Sequence, residues 1–192
     1  MTLYRDMTVA AFLAAVAAPE PAPGGGAAAA TTAAMAAGLV AMAARLSRSV
    51  RHDAGEIAVR ADALRERALA LADDDAAAYA RVLETYRLPK DAYGRREQLK
   101  TALERACEVP LEIAEGAADV AGLAADIGVR GNPNLVGDAA TGAHLAVAAA
   151  RSAAGLVRIN ARLGGLGPEP GKRANDLVTV AEGAIGRLAA TG

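Results

Sequence analysis

GGGAAAATTAAMAAGLVAMAARL, residues 24–46, is the stretch on which the fold turns. It opens with Gly24, Gly25 and Gly26 and continues as a long run of small residues. Alanine is the best helix former, so the run reads as one long helix. Its length is enough to cross a bilayer. Yet it holds mostly Ala, Gly and Thr and few strong hydrophobes. A helix of this kind suits the inside of a bundle, where small side chains let neighbouring backbones approach closely. The rest of the chain repeats the theme. Alanine supplies about half of the apolar residues, there is no Trp, and Phe12 is the single Phe. Each alanine buries little area. Close helix contact or oligomerisation is the expected remedy.

Upstream, residues 19–24 read PEPAPG, and their prolines block helix continuation. Thr8 is placed to cap a first helix that ends before Pro19. Val9, Phe12, Leu13 and Val16 give that helix an amphipathic pattern. Arg5 before an apolar run resembles a secretory signal, but Asp6 follows directly and the run is short. The long helix is expected to run from the glycines to about Val50, with Arg45, Arg48 and Arg51 suiting its C-terminal dipole.

Further along, Asp53 and Glu56 have capping-box spacing. They open a helix expected to reach about Tyr86, before Pro89. A fourth helix spans about 92–127, with a kink or break expected near Glu108 because Pro110 lies inside it. Residues 128–133 read as a loop and 134–163 as a fifth helix. GGLGPEPGK, residues 164–172, reads as a linker, and 174–188 as a last helix. The whole of 1–192 is thus expected to be one all-α domain, an Ala-rich bundle of five to six mostly long antiparallel helices.

The charge balance narrows the function. The 192 residues carry 21 basic and 22 acidic side chains, a net charge of -1. No electrostatic footprint for nucleic acid or an acidic membrane surface follows. One cysteine, Cys107, excludes an internal disulfide framework, and with only His52 and His144 no metal site is expected. Cys107 reads as a buried small hydrophobe. A reducing cytoplasm is the expected compartment.

Three segments depart from ordinary bundle sequence. In PAPGGGAAAATTAAM, glycines at a helix start leave backbone N–H groups free for an anion or a polar ligand edge. The same glycines also suit a plain hinge. In DDDAAAYARVLETYRLPK, Asp75, Tyr79 and Tyr86 share one helix face, and Lys90 follows just past its end. Solvated aspartates and a surface lysine are the plainer reading of the same residues. In GNPNLVGDAATGAHLAVAAARSAAGLVRIN, Asn132 and Asn134 flank a proline at a helix start, with Asp138 and Thr141 following. Asn160 lies about 40° round the helix from Asp138 but about six turns away, too far to touch it.

Together and in this order the segments resemble the cyclodeaminase/cyclohydrolase family. That family includes formimidoyltetrahydrofolate cyclodeaminase and stand-alone methenyltetrahydrofolate cyclohydrolase. The matching elements are Pro23-Gly24-Gly25-Gly26, Asp75 to Tyr79, Tyr86-Arg87-Leu88-Pro89-Lys90, Val109-Pro110-Leu111, Gly131-Asn132-Pro133-Asn134 with Asp138, and Val157-Arg158-Ile159-Asn160. The resemblance covers nearly the whole chain. It departs at Ala27 and Gly137, where the family has serines, and at residues 47–52, where it has a Gly/Lys-rich stretch.

The resemblance implies an all-α homodimer that acts on a tetrahydrofolate one-carbon derivative without a metal or redox cofactor. Asp75, Lys90 and Asp138 are then the candidate catalytic residues. Either carboxylate would stabilise a changing cation and move protons, and Lys90 would donate a proton or hold substrate. Gly24, Gly25, Gly26, Tyr79, Asn132 and Asn134 would bind the folate, the two asparagines meeting the pterin. Arg48 and Arg51 would take the anionic glutamate tail. Hydrolysis of 5,10-methenyltetrahydrofolate to 10-formyltetrahydrofolate is the first expectation. Cyclodeamination with release of ammonia is the second. A non-catalytic helical binding or interaction protein is the third, motivated by Ala27 and Gly137.

Overall fold

A computed structural model describes residues 3–190. After a short 3-10 turn at Tyr4–Asp6 the chain forms α1 (Val9–Val16), α2 (Gly25–Arg45), α3 (Ala54–Arg87), α4 (Arg95–Arg130), α5 (Val136–Gly164) and α6 (Glu169–Ala189). No strand occurs among the described residues. The all-α bundle read from the sequence is the fold.

Pairings along the helices give their directions. Gly26 of α2 lies against Asp75 of α3, and Arg45 at the other end of α2 meets Asp62. Those two helices are antiparallel. Gly25 approaches Leu156 of α5, whereas residues 36 and 40 of α2 approach Gly142, so α2 and α5 are antiparallel too. In α4, Cys107 meets Val157 and Gly128 meets Ala139, giving the same relation to α5. Arg151 of α5 meets Glu182 of α6 and Arg158 meets Asn175, so α2, α4 and α6 point one way and α3 and α5 the other, as short connections favour.

The core is built largely from alanine. Ala36, Ala37, Ala41, Ala43 and Ala44 of α2 are all fully buried, as are Ala121, Ala124 and Ala125 of α4. Larger fillers are few; Leu71, Val109, Ile113, Val120, Ile127 and Val157 are the main ones. At about 0.8 kcal/mol per buried methylene-sized group, such a core gains stability through many close contacts rather than large anchors. α2 is apolar and long enough to pass as a membrane span, but most of its apolar window is buried against the other helices.

Helix ends show where local signals hold. Thr8 caps α1 by accepting the Ala11 N–H at 3.2 Å. Leu88 closes α3 before Pro89, as the sequence indicates. Gly165 ends α5 at φ 63°, and Leu166 N–H returns to the Ala161 carbonyl.

Four details of the helix ends and interiors differ from expectation. α2 stops at Arg45 rather than near Val50. Ser47, fully buried, donates its hydroxyl to the Ala43 carbonyl and accepts the Asn132 N–H at 2.9 Å. That exchange ties the chain to the start of α5 and turns it. The capping box at Asp53 does not form. The Asp53 carboxylate makes no cap bond and instead pairs with Arg51. α4 continues through Pro110 without a break and past Gly128 to Arg130. α6 starts at Glu169, inside the expected linker, with Pro170 in its first turn, where a missing N–H costs nothing.

Candidate active site

A cleft of about 410 Å³ opens where the N-terminus of α2 meets the middle of α3 and the C-terminal part of α5. Gly24, Gly25 and Gly26 form one wall, Asp75 and Tyr79 a second, and Ile159, Asn160 and Leu163 a third. The first intrahelical bond of α2 runs from Ala28 N–H to the Gly24 carbonyl. The amides of Gly25, Gly26 and Ala27 therefore have no partner within the helix. Gly24 has no side chain to cap them.

Asp75 occupies that place from another helix. A Cβ on Gly26 would lie 2.0 Å from Asp75 Oδ1 and 2.2 Å from its Cγ. Glycine is required here for close approach, not for turn geometry. Burial pushes the Asp75 carboxyl above its ordinary value, and the Ala27 backbone amide acts the other way with less effect. The result is a carboxylate with strengthened basicity, at a helix N-terminus, in a cleft with Tyr79. Tyr79 is exposed enough at 43% to touch a ligand.

Asn160 completes the rim. Its Nδ2 donates to the Ala106 carbonyl of α4, across the cleft wall. The sequence reading noted Asn160 within a motif but gave it no role. The signal that would have found it is Pro110, four residues after Ala106.

The remaining candidates lie elsewhere on the chain. Lys90 is exposed in the turn after α3, and Tyr86 is exposed near the end of that helix. Along the α3 axis Tyr86 is about 16 Å from Asp75. Asn132, Asn134 and Asp138 sit at the opposite end of α2, whose 21 residues span about 30 Å. Within one chain they do not join the cleft. Asn132 is committed to local structure. Its Oδ1 accepts the Asn134 N–H at 3.0 Å and its Nδ2 donates to the Leu46 carbonyl. Asn134 is exposed and Asp138 half-buried.

Arg48 is exposed at the same end. Arg51 is not available there, because its side chain, 8% exposed, is held by Asp53, Asp126 and the Asp126 carbonyl. Cys107 is buried, with its thiol on the Val157 carbonyl and its pKa raised by burial. His52 and His144 are exposed. Among the described residues no three His, Cys, Asp or Glu side chains gather as metal ligands would.

Residues 8–163 match the family model described as formiminotransferase-cyclodeaminase. The chain belongs to the formiminotransferase-cyclodeaminase family. It is 33% identical over 165 residues to methenyltetrahydrofolate cyclohydrolase of Methylorubrum extorquens, covering 81% of this chain and 79% of that one. It also resembles the crystal structure of formiminotetrahydrofolate cyclodeaminase from Thermotoga maritima, with a TM-score of 0.88 and 25% identity. That match covers 97% of this chain and 96% of the other. The family likeness thus includes the cleft, since Gly24 to Leu163 lie inside the matched region.

Proposed function

We propose that this protein is a folate one-carbon enzyme that hydrolyses 5,10-methenyltetrahydrofolate to 10-formyltetrahydrofolate. The observation that carries the reading is the desolvated Asp75 beside the glycine N-terminus of α2, in a family whose curated relative acts as a methenyltetrahydrofolate cyclohydrolase.

The substrate carries a cationic N5–C–N10 bridge. Water attacks the bridging carbon, and Asp75 accepts one of its protons. The tetrahedral intermediate then loses its hydroxyl proton to solvent. Asp75 returns its proton to N5 as the carbon–N5 bond breaks, leaving the formyl group on N10. One proton is released overall. A single positioned carboxylate serves both halves, stabilising the cation and moving the proton. This chemistry requires no metal or redox cofactor.

Cyclodeamination is the second reading, favoured by the similarity to the Thermotoga maritima cyclodeaminase over nearly the full chain. There N10 closes onto the formimino carbon and ammonia departs. The same carboxylate would shuttle the proton.

The proposal includes a homodimer. Val9, Leu13 and Val16 of α1 are exposed, Val9 at 76%, and with Met35 of α2 they line an apolar groove of about 450 Å³. A second copy would cover a face of this kind. A reducing cytoplasm suits the free thiol of Cys107.

Loss of methenyltetrahydrofolate absorbance with purified protein tests the reaction. Asp75→Asn should lower kcat by at least about 100-fold. Because burial raises the Asp75 pKa and the base must be ionised, wild-type activity should fall as pH drops, starting above the ordinary aspartate range. Unchanged kcat in Asp75→Asn would remove Asp75 from the mechanism. Ammonia release from formiminotetrahydrofolate, without methenyl hydrolysis, would decide for the second reading.

A further inference from the structure

Pro110 sits well inside α4, fully buried, and has no N–H to offer. The carbonyl it leaves without a helical donor is that of Ala106, four residues earlier. A buried carbonyl without a partner is costly. Here the donor comes from another helix, fifty-four positions along the chain: Asn160 Nδ2 reaches the Ala106 carbonyl.

That single bond has a consequence for the cleft. An amide side chain has a donor end and an acceptor end. With Nδ2 held on Ala106, rotation of the amide is blocked and Oδ1 must take the other position. Both Ala106 and Asn160 line the cleft that contains Asp75 and Tyr79. Asn160 Oδ1 has no hydrogen-bond partner among the described residues and is not sealed from solvent. The apolar side chains of Leu156, Ile159 and Leu163 beside it supply no donor to occupy Oδ1.

We infer that Asn160 is a ligand-binding residue whose Oδ1 accepts a hydrogen bond from an N–H donor of the substrate, and that Pro110 is the positioning residue that fixes its orientation. The inference rests on the folate reading for the identity of the ligand. The amino and ring N–H donors of a pterin are the matching chemistry. It assigns to Asn160 the amide contact that Asn132, already bonded at both ends, does not supply from this cleft. Pro110→Ala restores a backbone N–H to the Ala106 carbonyl. That N–H competes with Asn160 and frees its amide to turn, while leaving the helix intact.

The test uses the full chain with 5,10-methenyltetrahydrofolate and three variants, Asn160→Ala, Pro110→Ala and the double variant. Circular dichroism checks that each is folded. Asn160→Ala should raise KM about tenfold with kcat changed by less than about threefold, as expected for one lost ligand hydrogen bond. Pro110→Ala should shift KM in the same direction by less. The double variant should be no worse than Asn160→Ala alone, because both changes act through one amide. The side-chain NH2 of Asn160 should exchange slowly by NMR in wild type and faster in Pro110→Ala. An active wild type with unchanged KM in Asn160→Ala, or with additive effects in the double variant, overturns the inference and leaves the folate reading standing. A wild type that neither binds nor hydrolyses the methenyl folate refutes the folate reading itself, and the assigned ligand contact with it.

Discussion

Gly26→Ala separates the stability of the helix from the work of the cleft. The added Cβ would stand 2.0 Å from Asp75 Oδ1, 2.2 Å from Cγ and 2.4 Å from Oδ2. Ordinary contact requires more than about 3 Å between such atoms, so the carboxyl group must retreat by about 1 Å or more. The three nearest atoms all belong to one side chain, and that side chain borders the cleft into which it can turn. The fold therefore yields at low cost. Moving Asp75 off its preferred rotamer costs about 0.5–1.5 kcal/mol, whereas Ala in place of Gly in a helix returns about 0.5–1 kcal/mol. The two nearly cancel, and Tm should move by no more than about 4 °C. Catalysis has no such compensation. A reacting group displaced by about 1 Å loses on the order of 100-fold in rate. The assay is kcat from the decay of methenyl absorbance, beside a thermal melt of the same preparation. Full kcat in a folded Gly26→Ala would refute the argument that Asp75 acts from this position. A large drop in Tm would refute the claim that the side chain alone gives way.

Two further outcomes concern the far end of the bundle. Ser47→Ala should lower stability by about 1–3 kcal/mol, a fall in Tm of up to about 10 °C, because it leaves the Asn132 N–H without its acceptor. Activity at the permissive temperature should be retained, and urea melts beside kinetics check both. The Asp53 carboxyl is lowered to about 2, chiefly by its hydrogen bonds from Arg51. A depressed folded-state value means the contribution is present above the unfolded aspartate value and lost as pH falls through the folded one. Acid titration of stability should therefore lose a component between about pH 4 and pH 2. Arg51→Met should lack it.

Elements governed by their own residues were legible in the sequence. Thr8 caps α1 from three residues away, and Pro89 ends α3 at its own position. The glycine start of α2 and the Asp75–Tyr79 spacing gave half of the cleft, because each is a property of one helix. Two of the failures involve partners distant in sequence, and two involve local alternatives that the pattern did not rank. Arg51 read as a free cation for an anionic tail, yet Asp126, seventy-five residues on, draws it inside. Asp53 has the spacing of a cap, but a nearby guanidinium outcompetes a backbone amide for its carboxylate. Pro110 read as a break because the donor that rescues its helix lies on α5. Residues 164–172 read as a linker on composition, although Pro170 is placed where a helix tolerates it.

The small-residue character of α2 ties the fold to the cleft. A carboxylate can act as a buried base only if something offsets part of its desolvation without neutralising it. A cation alongside would lower its basicity, and no salt bridge to Asp75 is present among the described residues. The free amides at the start of α2 offer a weaker counterpart, provided the backbone comes close enough. Only a glycine at position 26 permits that approach. The same closeness runs on down α2, where alanines bring α3 and α5 against its backbone and Gly142 of α5 packs on the Ala36 carbonyl. Larger core residues would stabilise the bundle more per contact, but they would hold α3 away and leave Asp75 exposed to water. An alanine core is thus the packing that lets a helix terminus tune a carboxyl group on its neighbour.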